Sequence, residues 1–155
     1  MLVASYLAVI DQAYNRQSWH GTNLRGSIRG VTPQQAAWRP APLRHNIWEE
    51  IVHAAYWKYV VRRRLTGQRR GSFALDGSNW FARPDSGDAT ALKKDIALLD
   101  AEHRALREVV ANLPEKSLRP ARGGKRNKIA WHVAGIAAHD LYHAGQIQLL
   151  KKLQK

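Results

Sequence analysis

The stretch KIAWHVAGIAAHDLYHAGQIQLLKKL, residues 128–153, constrains the fold more than any other part of the chain. On a 3.6-residue helix its inward seam reads Ile129, His132, Ile136, His139, His143, Gln146, Leu150 and Leu153. Apolar residues hold both ends of that seam, and His139, His143 and Gln146 sit together in the middle. His139 and His143 are four apart, so they differ by about 40° around the axis and by one turn along it. Burying imidazoles costs free energy unless each nitrogen has a partner. A metal ion is one such partner, as in H-x-x-x-H sites, and a hydrogen-bonded network with buried water is the other.

The rest of the chain also reads as helices. Residues 2–17 carry Val3, Tyr6, Leu7, Ile10, Ala13 and Tyr14 on one stripe, and His20-Gly21 stops that helix. Thr32-Pro33-Gln34-Gln35 opens a short helical turn with a proline at its first position. A second long helix starts at Asn46, with Glu49 as capping-box partner, and ends before Gly67. Gln68 to Gly87 has no sustained periodicity, yet Phe73, Trp80 and Phe81 predict a loop packed down on the body. A third helix spans Asp88 to Leu113, with the seam Leu92, Ile96, Leu99, His103, Leu106, Val110, Leu113. Ser117 to Asn127 reads as a basic, glycine-containing loop before the last helix. Four amphipathic helices and no strand predict an all-α four-helix bundle in one domain, residues 1–155.

Composition narrows the chemistry. The absence of cysteine excludes a disulfide framework, a thiolate metal site and a cysteine nucleophile. A transition metal must therefore be held by histidine and carboxylate. The opening MLVASYLAVI lacks a basic first segment and a small-residue cleavage site, and no apolar run approaches roughly 18–20 residues. These features predict a soluble, cytoplasmic protein with no membrane partner. The formal charge of +13 gathers at Arg62–Arg64, Arg69–Arg70, between Lys116 and Lys128, and at Lys151, Lys152 and Lys155. Such clusters favour polyanions, nucleic acid among them, although no helix-turn-helix or zinc-finger pattern accompanies them.

Two histidines on one helix need a third ligand from elsewhere. His53 lies on the second long helix, with Glu49 and Glu50 one turn earlier and Trp57 one turn later. His103, His132 and His20 are rivals, and spacing leaves the choice open. His20 and His45, near helix ends, read as loop contacts or caps.

Two segments carry a family likeness: NIWEEIVHAAYWKYVVRRRLTG at 46–67 and GIAAHDLYHAGQIQLLKK at 135–152. The second holds the pattern H-D-x-Y-H-x-G-Q-I at His139, Asp140, Tyr142, His143, Gly145, Gln146 and Ile147. The first holds an apolar-His-x-x-x-Trp pattern at Val52, His53 and Trp57, and SWHG at 18–21 and the Trp80 loop add to the likeness. The chain resembles the DinB/YfiT-like superfamily of metal-binding four-helix bundles. That resemblance implies a divalent metal, zinc or nickel, on His53, His139 and His143. It also implies that helices one and two run roughly parallel, joined by a long crossover for which Ser18 to His45 is long enough.

Relatives in that family include thiol transferases and a thiol-dependent isomerase. The resemblance therefore implies a metal-dependent thiol transferase acting on a small molecule with a low-molecular-weight thiol, in a homodimer. An open ion that activates water gives hydrolase as the other enzyme reading. The alternatives are a non-catalytic metal-binding stress or interaction protein and, further back, a nucleic-acid or polyanion binder. In an open three-histidine site Gln146 is placed to hydrogen-bond bound water, and Glu49 or Glu50 to orient His53. Asp140, about 100° from His139, reads as an outward or interhelical contact.

Overall fold

Three of the long helices begin where a side chain takes up free backbone N–H groups of the first turn. Asn46 accepts from the Glu49 N–H at 2.8 Å, and the Glu49 carboxylate accepts the Asn46 N–H at 3.3 Å, closing the expected capping box. Asp88 accepts from Ala91, and Asn127 from Ile129 and Ala130. The first helix is capped from a distance: Glu115 accepts the N–H groups of Leu2 and Val3 at 2.8 and 3.3 Å.

The computed structural model describes residues 1–85, 87–120 and 127–155. Its helices are α1 (Leu2–Tyr14), α2 (Leu24–Ile28), α3 (Pro33–Ala37), α4 (Ile47–Thr66), α5 (Ala89–Ala111) and α6 (Lys128–Leu153), with a 3-10 turn at Glu115–Leu118. No strand occurs among the described residues, as expected. Of the basic loop expected at 117–127, residues 121–126 lie outside the described part.

Helix α1 ends three residues earlier than its stripe suggested. The N–H groups of Asn15 and Arg16 both close on the Asp11 carbonyl, and the Asn23 amide captures the Arg16 carbonyl at 2.9 Å. Helix α2 was not expected, because five residues with Gly26 inside carry little helical signal. It forms because Asn23 caps it and Leu24 and Ile28 are buried.

Helices α1 and α4 each pack against both α5 and α6. Trp48 meets Asp95 and Arg62 meets Glu102, so α4 and α5 run parallel. Tyr14 meets Asp100 and Asp11 meets Arg107, so α1 runs against α5. Glu50 meets His143 and Lys58 meets Asp140, so α6 runs against α4. This corrects the expected parallel first and second helices: α1 and α4 are antiparallel, and the crossover between parallel neighbours is the α4–α5 segment. The α1–α4 connection is long because it holds α2 and α3.

The core has two apolar clusters. One gathers Trp48, Ile51, Leu99 and Ile147; the other gathers Ile10, Leu106, Val110 and Val133. Between them, on every long helix, the interior turns polar. Lys58 and Asp140, both fully buried, form an ion pair, and the Lys58 ammonium lies 4.8 Å from the Tyr14 ring centre. Tyr14 stacks on His103 at 3.6 Å and donates its hydroxyl to Asp100, which also holds Arg25 at 2.8 Å. Burial pushes the Lys58 ammonium below its ordinary pKa and the Asp140 carboxyl above its own, and their mutual attraction opposes both shifts.

That pair also explains how α6 is turned. Its buried line is Val133, Ile136, Ala137, Asp140, His143, Ala144, Ile147 and Leu150. The expected seam is therefore rotated: Ile136, His143 and Leu150 are buried, His132, His139 and Gln146 are half-buried, and Leu153 is exposed. Asp140 proves to be an interhelical contact, turned inward to meet Lys58.

Removing one partner of a buried ion pair strands the other charge. Lys58→Ala is expected to cost about 3–5 kcal/mol, whereas Lys58→Met with Asp140→Leu recovers most of that loss. Urea unfolding of both variants beside the wild type measures the difference.

Candidate metal centre

The antiparallel packing of α4 on α6 sets His53 opposite two imidazoles one turn apart. The His139 Nε2 lies 3.2 Å from the His53 Nε2 and 3.0 Å from the His143 Nε2. One nitrogen from each ring falls within 4.8 Å of the other two. His53 and His143 are buried, and His139 is half-buried.

The outer nitrogens fix two of the rings. His53 Nδ1 donates to the Asn79 carbonyl at 2.8 Å. His143 Nδ1 meets the buried carboxylate of Glu50. With a proton on each Nδ1, the inward Nε2 of both rings carries a lone pair. The His139 Nε2 lies between them and can give one proton to only one of the two. The cluster is thus a donor set short of protons that could hold a cation. His139 Nδ1 is buried without a hydrogen-bond partner. Burial lowers the pKa of His53 to about 4 and of His139 to about 3, so both rings are neutral, as ligands must be, at neutral pH.

Asn79 occupies the left-handed region, with φ at 65°, a conformation asparagine tolerates better than most residues. Its carbonyl thereby faces His53 while its side-chain oxygen accepts from Trp57 Nε1 at 2.9 Å. The next residue, Trp80, stacks on His53 at 3.8 Å with an 11° tilt and on His45 at 3.5 Å with a 7° tilt. On the other side, Trp57, Ile136, Trp131 and His132 line an apolar slot of about 230 Å3 that reaches His139.

The structure sorts the expected residues. It brings His53, His139 and His143 together. Glu50 holds His143, not His53, whose outer nitrogen belongs to Asn79. Glu49 faces away: it takes both guanidinium nitrogens of Arg39 at 2.5 and 2.8 Å, His45 at 3.1 Å and the Asn46 N–H. Gln146 lies one turn beyond His143 with its Oε1 buried and unpartnered, and no hydrogen bond joins it to the imidazoles. Of the rival histidines, His103 stacks on Tyr14, His20 is exposed, and His132 borders the slot. Sequence reasoning missed Asn79 altogether and saw Trp80 as a packed aromatic in a loop of familiar pattern, not as a ring stacked on His53. A loop carbonyl leaves no mark in a sequence, and the single available signal was an asparagine before a tryptophan.

A family model described as the DinB superfamily matches residues 16–147. The chain belongs to the DinB superfamily. No curated protein and no solved structure matches it. The DinB match spans α2 to most of α6 and so contains all three clustered histidines. No helix among the described residues is long and apolar enough to cross a membrane.

The buried neutral histidines make the metal-free protein acid-sensitive. His53, His103 and His139 titrate near 6.5 when unfolded but at about 4, 3 and 3 when folded. The unfolded chain then binds more protons, so stability is full above pH 6.5 and falls as pH drops toward 3. Each such histidine contributes a slope of at most about 1.4 kcal/mol per pH unit. Urea midpoints of chelated protein at neutral and acid pH are expected to show the fall, and His103→Leu to make it shallower.

Proposed function

We propose that this DinB-superfamily protein is a divalent-metal-dependent enzyme, of the thiol S-transferase or hydrolase type, with His53, His139 and His143 as ligands. The observation that carries the reading is the convergence of three Nε2 atoms, with the His53 and His143 rings anchored from outside by Asn79 and Glu50. An all-imidazole set suits zinc or nickel, and three protein ligands rather than four are the pattern of an open site. A divalent ion held there supplies Lewis acidity, lowering the pKa of a coordinated water or thiol.

The chain's own residues prepare the site for that chemistry. Asn79 and Glu50 hold the tautomers that leave the ligand nitrogens unprotonated. Trp80 covers one face of His53 and keeps water from it. The slot beside His139 orients an apolar substituent of a small substrate against the half-buried ligand. The same reading includes a homodimer, supported by Tyr142, Leu149 and Leu153, which α6 leaves 65, 58 and 55% exposed.

Elemental analysis of tag-free protein is expected to find about one divalent ion per chain, lost in His53→Ala and His143→Ala. Glu50→Gln is expected to retain the fold and weaken metal affinity about 10–100-fold. Metal-loaded protein that turns over nothing across thiol and ester panels would overturn the enzyme reading in favour of a non-catalytic metal binder. A monomer at micromolar concentration in sedimentation would overturn the dimer.

A further inference from the structure

Among the described arginines, some are tied to carboxylates and others are not. Arg25, Arg39, Arg62, Arg83 and Arg107 each meet a carboxylate. Arg63, Arg64 and Arg70 have no ion-pair partner among the described residues, and all three line one cavity of about 510 Å3. That volume is ordinary for a small-molecule site. The Tyr59 hydroxyl accepts the N–H groups of Gly71 and Ser72 at 3.2 and 3.3 Å, pinning the loop that walls the cavity to α4. Tyr56, Tyr59 and Phe73, with ring centres 5.3–6.1 Å apart, supply an aromatic wall. Arg63 spends one N–H on the Gln68 carbonyl at 3.3 Å, and its Nε–H, buried, has no acceptor. One carboxylate, Asp76, also lines the space and opposes an anion there.

We infer that this cavity binds the anionic end of a small organic molecule, a carboxylate or phosphate carried on an aromatic or otherwise apolar body. Three guanidinium groups without an ion pair, against one carboxylate and beside an aromatic wall, suit that chemistry: the net charge attracts the anion, planar N–H groups orient it, and the rings take the body. The cavity also shares Trp57 and Arg64 with the slot that reaches His139, and Asn79, which holds His53, is part of its lining. A ligand anchored there lies one tryptophan away from the imidazoles. Its part in a reaction rests on the metal-centre reading above; the anion site itself does not.

The test uses metal-chelated full-length protein and the His143→Ala variant, so that an anion cannot bind through an ion at the histidines. Phenyl phosphate and phthalate are titrated separately, with benzyl alcohol as the neutral body, by calorimetry and by amide chemical shifts. The expected result is saturable binding of at least one anion with Kd below about 1 mM, undiminished in His143→Ala. Shifts should centre on Gly71, Gly77 and Asn79, and whichever anion binds tighter identifies the group. Arg63→Gln and Arg70→Gln should each weaken binding about three- to tenfold. Asp76→Asn should tighten it. Lys152→Gln, which removes the same charge from the far end of α6, should change nothing.

Arg70 lies on the exposed loop, so its variant decides the matter if Arg63→Gln fails to fold. Three results would overturn the inference: no saturable binding of either anion, an equal loss in Lys152→Gln, or shifts centred on the Arg16–Arg29 segment around the other arginine-lined cavity. Failure of the metal reading looks different, since it leaves anion binding in His143→Ala intact.

Discussion

The buried Lys58–Asp140 pair sets the position of everything else. It lies in the polar layer between the two apolar clusters, where sliding α4 against α6 would strand two charges in a dry interior. Apolar side chains tolerate a small slip, and a buried ion pair does not. Asp140 directly follows His139, and Lys58 is five residues past His53, so the pair that fixes the helix register also sets the imidazoles opposite one another. Tyr14, Asp100 and Arg25 extend the same polar chain to α1, α5 and α2, joining five helices through one layer.

Much of this was readable in the sequence, for identifiable reasons. The long helices announce themselves through local chemistry: Asn46 with Glu49, Asp88 and Asn127 mark their starts, and Gly67, at φ 72°, ends α4 as a left-handed cap. His139 and His143 stood out because one helix carries both. Choosing His53 over His103 needed the family resemblance, because both lie on buried faces and periodicity cannot say which faces meet. What stayed hidden depends on chain segments far apart in sequence. The direction of α4 relative to α1 follows from tertiary pairs such as Tyr14–Asp100 and Trp48–Asp95, and the rotation of α6 follows from where Lys58 sits.

The two neighbouring glutamates show how a single residue of spacing separates roles. Glu49, also buried, turns toward the helix start, where Arg39, His45 and the Asn46 N–H saturate it, and so it serves the fold. Glu50 is turned about 100° further round the helix and meets His143 inside the body. Arginine divides in the same way. Arg62 is tied to Glu102, whereas Arg63 and Arg64, the next two residues, line the cavity beside Trp57. The strong positive charge of the chain is therefore concentrated, in part, at one concave surface.

Asn79 joins the loop between α4 and α5 to the imidazole cluster through a single backbone carbonyl. Because that carbonyl is what keeps the proton on the outer nitrogen of His53, the loop acts as a latch on the tautomer. Without that acceptor the His53 proton is free to move to the inner nitrogen, and the cluster then loses a donor without losing a side chain. The readiness of the three histidines is in this sense a property of the loop's closure as much as of the helices that carry them.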